Sequence, residues 1–130
     1  MKPFWEDEYL NKEKSTFGNP SKEVKELVLY LKKDAKILDV GCGDGRHALY
    51  LASLGFQVDA FDLSKNAIEK IDYLKQKNNL NIHTWVCDVL DYPFRYSYDL
   101  IIVHGVLQFI DKTKQPQVIE LLKKWTNVNG

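Results

Sequence analysis

The sequence predicts an α/β fold in which a doubly wound, mostly parallel sheet is covered by helices on both faces. Short apolar segments alternate with longer segments of helical periodicity, which is typical of parallel strands joined by helical crossovers. The segments predicted as strands are apolar enough to be covered on both faces. One of them runs into a glycine-rich turn and then a helix, and sheets of this class bind ligands at such positions.

Two helices and a strand are predicted before residue 56. A helix over 21–33 begins after Pro20, and a helix over 46–54 ends at Gly55, which suits a C-cap. A short strand lies between the two helices. The apolar residues that define these elements are Val24, Leu27, Val28 and Leu31 in the first helix and Ile37, Leu38 and Val40 in the strand.

Three more strands and two more helices are predicted in the rest of the chain. The strands are predicted over 56–61, 82–87 and 98–103. Ser64 caps a helix that ends at Asn78, and Pro116 opens a helix over 116–126. The final Asn-Val-Asn-Gly resembles the approach to a further strand, so we expect a larger domain whose C-terminal strands are lacking here.

Composition fits one ordinary globular domain. The chain has 130 residues, of which 45% are hydrophobic and 28% charged, and its 18 basic and 18 acidic residues give a formal charge of zero. No basic field favours nucleic acid, and no apolar segment or leader favours a membrane, so we expect a cytoplasmic protein. Cys42 and Cys87 make neither a disulfide framework nor a metal motif, so we expect both to be reduced and no metal to bind.

The glycine turn is the first candidate site. Gly41, Gly43 and Gly45 recur at every second residue, where side chains would block a ligand from the backbone, and the helix after them offers free N–H groups. The carboxylate of Asp39 would repel a pyrophosphate but accept hydrogen bonds from an ammonium or amide group. The turn therefore favours a cationic or zwitterionic ligand over a dinucleotide.

Two acidic residues follow the next two predicted strands. Asp62 could accept hydrogen bonds from both hydroxyls of a ribose, or it could cap the helix that starts after Ser64. The glycine turn makes ribose binding the favoured interpretation. Asp88 could accept a hydrogen bond from an adenine amino group, which we favour, or it could cap the turn at Val89 and Leu90.

The pattern Asp39-x-Gly41-x-Gly43-x-Gly45, followed by Asp62, Asp88 and the segment Tyr98-Asp99-Leu100-Ile101, resembles the class I S-adenosylmethionine-dependent methyltransferases. It differs from the Gly-x-Gly-x-x-Gly of nucleotide-dependent dehydrogenases, so that class is disfavoured. The segments 43–52, 81–84 and 98–100 look most like the tellurite-resistance (TehB-like) methyltransferases. The resemblance implies a Rossmann-like methyltransferase fold over 21–130, with 1–20 as an N-terminal lid or extension.

The resemblance implies S-adenosyl-L-methionine as the cofactor, with its methionine end against Gly41, Cys42 and Gly43. Asp39 would anchor the turn or the cofactor's amino group. The complete set of implied cofactor-binding residues is Asp39, Gly41, Cys42, Gly43, Gly45, Arg46, Asp62, Leu63, Asp88, Val89 and His104.

His104 is also the candidate catalytic residue. It would lie near the sulfonium methyl group and would shape the acceptor pocket or accept a proton, although packing at a strand end is an equal alternative. Arg46 could attract an anionic acceptor or lie in solvent, and His47 is expected on the helix surface. A lid made by the N-terminal aromatic residues would exclude water, or these residues would simply pack on the sheet. They are Phe4, Trp5, Tyr9 and Phe17.

The implied function is methyl transfer from S-adenosylmethionine to a small-molecule acceptor, for which a chalcogen oxyanion such as tellurite is one candidate. The alternative is a truncated S-adenosylmethionine-binding module without full catalytic competence. In either case the apolar fourth strand would be an exposed edge, through which we expect a homodimer to form.

Overall fold

The computed structural model of the chain describes residues 20–94, 97–103 and 110–127. Four helices and four strands lie along these residues, and they alternate as far as β3. In chain order they are α1 (Lys22–Leu27), a 3₁₀ turn (Val28–Tyr30), β1 (Lys36–Val40), α2 (Arg46–Ser53), β2 (Gln57–Asp62), α3 (Lys65–Asn78), β3 (Ile82–Val86), β4 (Leu100–Val103) and α4 (Gln115–Lys124).

The four strands form one parallel sheet in the order β3-β2-β1-β4. Val40 at the end of β1 pairs with Phe61 of β2 and with Val103 of β4, so the carboxyl ends of these strands lie at the same edge. The chain places β2 and β3 on one side of β1 and β4 on the other. The strand order therefore reverses beside the end of β1, and the predicted doubly wound α/β sheet is confirmed.

Alternate side chains of each strand pack into two different cores. Ile37 and Val58 lie in a first core with residues of α1, α2 and α3, whereas Leu38 and Phe61 lie in a second core with residues of α4. All four of these side chains are buried. Apolar residues at successive strand positions are thus explained by a sheet that is covered on both faces.

The first helix is shorter than the predicted range 21–33. It gives way to the 3₁₀ turn after Leu27, and the backbone is extended at Leu31. Because a 3₁₀ turn has three residues per turn, Val28 and Leu31 still pack against the first core. Leu29 falls on the opposite side and is exposed.

The predicted strand over 98–103 begins at Leu100, and Tyr98 instead forms an isolated parallel bridge with Thr126. Asp99 accepts hydrogen bonds from the Lys36 backbone N–H (2.8 Å) and from Asn127 Nδ2 (2.8 Å). The Lys36 N–H is the main reason why the pKa of Asp99 is lowered, and the Asn127 amide adds to the effect. Through these contacts, Tyr98 and Asp99 connect the start of β1 with the residues that follow α4.

The outer edge of β4 lies beside a groove of about 290 Å³, which is lined by β4 and by Ser21, Glu23, Val24 and Leu27. An unpaired strand edge offers backbone N–H and C=O groups to another chain. The homodimer expected through this edge stays a prediction. Sedimentation velocity over rising protein concentration should show a monomer–dimer equilibrium, and a monodisperse monomer at high concentration would contradict it.

The predicted cap at Ser64 is confirmed, because its Oγ accepts a hydrogen bond from the Ala67 backbone N–H (3.0 Å). We expect Ser64→Ala to lower the free energy of unfolding by about 1 kcal/mol, because the N–H loses its buried acceptor. Urea denaturation measures this difference. Ser53→Ala is the control, since that exposed hydroxyl donates to Tyr50 O within α2 and caps nothing, and equal losses would contradict the prediction.

Candidate cofactor-binding site

A turn built on left-handed backbone conformations connects β1 to α2. Gly41, Gly43 and Gly45 have φ angles of 64°, 57° and 89°, a region that L-residues with a Cβ rarely adopt. The Cys42 backbone N–H between them donates to Phe61 O (3.0 Å) at the end of β2. The alternating glycines thus allow the chain to reverse direction while it stays attached to the neighbouring strand.

Asp39 caps the helix that follows the turn. Gly45 occupies the N-cap position of α2 and has no side chain to offer, but the Ala48 N–H in the first turn of the helix is a hydrogen-bond partner of the Asp39 carboxyl. Asp39 is only 2% exposed, and its Oδ2 has no hydrogen-bond partner among the described residues. This contact ties β1 to the first turn of α2 and leaves one unmatched acceptor, and the role of Asp39 as an anchor of the turn or of the cofactor's amino group stays a prediction.

Burial raises the pKa of Asp39 to about 7, and the negative charge of Asp62 acts in the same direction. The Ala48 N–H and the positive charge of Arg46 oppose this rise of the pKa. Arg46 is half-buried at the start of α2. The charge of Asp39 is therefore sensitive to pH near neutrality.

This raised pKa makes the stability of the fold fall as the pH rises. Between 3.8 and about 7 the folded state keeps a proton on Asp39 that the unfolded state has lost, so the free energy of unfolding decreases across this range and levels off above it. Asp39→Asn should remove this contribution while its amide oxygen still accepts from Ala48. Urea denaturation between pH 5 and 8 should therefore show that the free energy of unfolding of the variant rises relative to that of the parent as the pH increases. A constant difference between the two free energies over this range would contradict the prediction.

Asp62 contacts both the start of α3 and the glycine turn, and its ribose-binding role stays a prediction. Its Oδ1 accepts from the Ser64 N–H (2.8 Å) at the start of α3, and its Oδ2 accepts from the Gly43 N–H (2.9 Å) in the turn. The carboxylate is half-buried at the carboxyl end of β2. Each carboxylate oxygen can accept more than one hydrogen bond, so these contacts leave capacity for ribose hydroxyls.

Neither cysteine has the properties of a nucleophile. Burial raises the pKa of the Cys42 thiol well above its usual range, and the charges of Asp39 and Asp62 add to this effect. Cys87 is half-buried, and burial followed by the charges of Asp91 and Asp88 raises its pKa. Both thiols are free. The side chain of Cys42 packs in the first core, so Cys42 contributes its backbone to the ligand side of the turn.

The residues after β2 and β3 differ in exposure. Leu63 is 72% exposed beside Asp62, whereas the Val89 side chain is buried in the second core. Asp88 is exposed, and its Oδ1 accepts from the Leu90 N–H at 3.4 Å, which is the turn-capping alternative. The adenine role of Asp88 and the cofactor contacts of Leu63 and Val89 stay predictions.

The expectation that His47 lies on the helix surface is wrong. His47 is 3% exposed, and its Nε2 accepts a hydrogen bond from the Ser21 backbone N–H (3.2 Å). The start of α1 covers this part of α2, and the chain contact that buries His47 comes from 26 residues away. Helical spacing held a signal, since His47 lies four residues before Leu51 and one before Ala48, both of which are buried.

A buried ion pair was not expected from the sequence. Lys70 Nζ lies 2.9 Å from Asp44 Oδ2, and both side chains are 0% exposed. Helical spacing gave a signal, since Lys70 is three residues after Ala67 and one before Ile71, both of which are buried. Asp44 lies between two glycines of the turn, so the ion pair joins the turn to α3.

A second buried polar cluster holds the segment after β3. Tyr98 Oη donates to Asp59 Oδ2 (2.7 Å) and lies 2.8 Å from Tyr92 Oη. Burial is the main cause that raises the pKa of Tyr98, so its hydroxyl stays neutral and remains a donor. Tyr92 stacks on Phe61, which fixes one end of the segment that contains Asp88.

The candidate catalytic residue His104 lies outside the described residues. The same is true of the aromatic residues of the lid expected over 1–20, namely Phe4, Trp5, Tyr9 and Phe17. Over the ranges that are described, His, Cys, Asp and Glu side chains form no group of three or more that could hold a metal ion. Helices in these ranges also lack the length and apolar character of a membrane span.

Comparison with known sequences gives a family match over most of the chain. The family model described as tellurite resistance protein TehB matches residues 4–130. The probable S-adenosyl-L-methionine-dependent methyltransferase TehB of Haemophilus influenzae Rd is 39% identical over 95 residues, which are 73% of this chain and 33% of the relative. The ubiquinone biosynthesis O-methyltransferase of Rickettsia typhi is 38% identical over 80 residues, or 62% of this chain and 32% of the relative. The chain thus spans about a third of the length of these curated relatives.

Solved structures show the same architecture. TehB from Haemophilus influenzae superposes with a TM-score of 0.82 and 34% identity, covering 96% of this chain and 43% of that one. PKMT2 from Rickettsia typhi, solved in complex with AdoHcy, superposes with a TM-score of 0.70 and 32% identity, covering 77% of this chain and 20% of that one. The likeness to Haemophilus influenzae TehB therefore extends over nearly the whole chain.

Proposed function

Because this chain belongs to the tellurite resistance protein TehB family, we propose that it binds S-adenosylmethionine at the glycine turn and serves methyl transfer to a small-molecule acceptor. The family, the α/β fold and S-adenosylmethionine as the family's cofactor agree with the expectations from the sequence. For the acceptor we propose a chalcogen oxyanion such as tellurite, which the family's name supports. A cytoplasmic location is part of the same proposal.

The hydrogen bond between the Gly43 N–H and Asp62 Oδ2 is the observation that carries this proposal. It brings a carboxylate suited to a ribose diol against the glycine turn, which would border the methionine end of the cofactor. The two strands involved, β1 and β2, are parallel neighbours that end at the same edge of the sheet. This edge is where α/β sheets of this type bind their ligands.

Charge supports a cationic ligand at this position. The buried Oδ2 of Asp39 has no hydrogen-bond partner among the described residues, and the half-buried carboxylate of Asp62 is close enough for its charge to help raise the pKa of Asp39. A ligand with an ammonium and a sulfonium group would be favoured by this negative potential, because a partly buried site screens charge less than water does. A dinucleotide with a pyrophosphate would be repelled by the same carboxylates.

S-adenosylmethionine supplies an electrophilic methyl group on a positively charged sulfur. The chain's part is to bind and orient, since an in-line displacement of this kind depends on alignment and on the exclusion of water. Asp62 would hold the ribose, and the turn glycines would border the methionine end. An oxyanion acceptor has a free lone pair and needs no base, whereas an amine or hydroxyl acceptor would need a proton acceptor such as His104.

Calorimetric titration of the chain with S-adenosylhomocysteine, with NAD as the control, tests the cofactor. We expect S-adenosylhomocysteine to bind and NAD to give no binding heat. Absence of binding by S-adenosylhomocysteine would overturn the proposal. The acceptor is tested by measuring S-adenosylhomocysteine formed from S-adenosylmethionine with and without tellurite, and tellurite should increase its rate of formation.

A binding module without transfer activity is the second candidate function. The contacts described at the glycine turn concern the cofactor alone, and His104, the candidate residue for the acceptor, lies outside the described residues. The two functions differ in one result. A module would bind S-adenosylhomocysteine in the calorimeter but would form none from S-adenosylmethionine when tellurite is added.

A further inference from the structure

The ion pair between Lys70 and Asp44 lies next to the candidate site but is not part of it. Lys70 projects from α3, and Asp44 is the residue between Gly43 and Gly45 in the turn. The two charged atoms are 2.9 Å apart, and neither side chain has any solvent exposure. A lysine with these contacts cannot reach a ligand itself, so any effect on binding must pass through Asp44.

Three successive residues of the turn are attached to the segment that runs from Asp62 through α3. Gly43 donates to the Asp62 carboxylate, and Asp44 accepts from Lys70. Gly45 lies so close to Ile71 that a Cβ added to it would be 2.8 Å from Ile71 Cγ1. Because Lys70 and Ile71 are adjacent on α3, the middle of the turn is held by a charged contact and its end by an apolar one.

A glycine-rich turn needs such attachment. Glycine has more backbone freedom than any other residue, and three of the five residues from 41 to 45 are glycines. A buried ion pair adds little net stability, because both charges must be desolvated, but its hydrogen-bond geometry is directional. We therefore expect the ion pair to affect the conformation of the turn more than the free energy of unfolding of the whole fold.

We propose that Lys70 is a positioning residue for cofactor binding, which through Asp44 holds the glycine turn in the conformation where the Gly43 N–H meets Asp62. The inference rests on the proposed function, since it assigns a role in binding S-adenosylmethionine at the same turn. Loss of the ion pair changes none of the residues that contact the ligand. It does allow the turn to leave the conformation that binds the ligand. Cofactor affinity falls as that conformation becomes less populated.

The double variant Asp44→Leu/Lys70→Met separates positioning from stability. Replacing a buried ion pair by apolar side chains of similar volume is often neutral for folding, so we expect a midpoint of urea denaturation close to that of the parent chain. We expect its dissociation constant for S-adenosylhomocysteine to rise about tenfold, as for the loss of one charge-assisted contact. Parent-like stability together with parent-like affinity would overturn the inference.

The exposed ion pair between Lys65 and Glu69 on the same helix provides the control. Lys65→Met/Glu69→Leu removes the same kinds of charge from the exposed side of α3, and its affinity for S-adenosylhomocysteine should match that of the parent. If the Asp44/Lys70 double variant does not fold, Lys70→Gln is measured instead. Its shorter neutral amide weakens the contact, and a folded Lys70→Gln chain with parent affinity would also overturn the inference.

Hydrogen exchange of the Gly43 amide in the ligand-free chain is a readout that does not depend on cofactor binding. Positioning by Lys70 predicts faster exchange at this amide in the double variant, with amides in the centre of β1 unchanged. Unchanged exchange at Gly43 would overturn the inference. If the parent chain does not bind S-adenosylhomocysteine, the proposed function fails, and the Gly43 amide still reports whether Lys70 positions the turn.

Discussion

Replacing Asp62 by asparagine is expected to raise the dissociation constant for S-adenosylhomocysteine about a hundredfold. The carboxylate has two acceptor oxygens, and each already accepts a backbone N–H, one from Gly43 and one from Ser64. An asparagine has one acceptor oxygen, so its NH₂ group must face one of these N–H donors. The same change removes an acceptor for one ribose hydroxyl, and together these losses affect both the turn and the ligand. Isothermal titration calorimetry measures the change.

Asp34→Asn is the matched control for this prediction. Asp34 is exposed and precedes β1, so it lies at the opposite edge of the sheet, and the substitution changes the net charge by the same amount. Its affinity for S-adenosylhomocysteine should equal that of the parent. If a folded Asp62→Asn chain binds within about threefold of the parent, the ribose role is wrong and Asp62 acts only in holding the backbone.

Local patterns predicted the fold because each element carries its own signal. Ser64 and Gly55 mark helix ends whose caps depend only on neighbouring residues, and both lie where expected. The predicted end of the first helix was wrong, because packing on the core and not local sequence determines where that helix ends. After Leu27 the chain forms a 3₁₀ turn and still packs Val28 and Leu31 against the core. The spacing of these two residues fits a 3₁₀ turn and an α-helix equally well, so periodicity alone cannot distinguish them.

The candidate site was predictable where topology alone brings residues together. Gly43 and Asp62 are 19 residues apart, but they follow neighbouring parallel strands, so their meeting follows from the predicted sheet. The contact between Lys70 and Asp44 spans 26 residues and depends on how α3 packs on the turn. Helical spacing places Lys70 on the buried face of α3, but it does not indicate that this face meets the turn, and lysine is seldom found fully buried. The role of His104 stays a prediction.

The packing of the turn against α3 makes Gly45→Ala the substitution with the largest expected effect on stability, a loss of about 3 kcal/mol in the free energy of unfolding. Gly45 has a φ of 89°, which a residue with a Cβ adopts only with strain. A Cβ there would also lie 2.8 Å from Ile71 Cγ1 and 3.2 Å from Leu49 Cγ, so buried side chains must shift. Urea denaturation gives the difference from the parent.

Gly55→Ala isolates the backbone part of this loss. Gly55 has a φ of 99°, but a Cβ there would meet no atom within 4 Å. Its substitution should therefore cost only the backbone strain, about 1 kcal/mol. The difference between the two variants measures the contact of the turn with α3, and equal losses would show that this contact is not close. Because Gly45→Ala pushes α3 away from the turn, it should also weaken binding of S-adenosylhomocysteine, whereas Gly55→Ala should leave that binding unchanged.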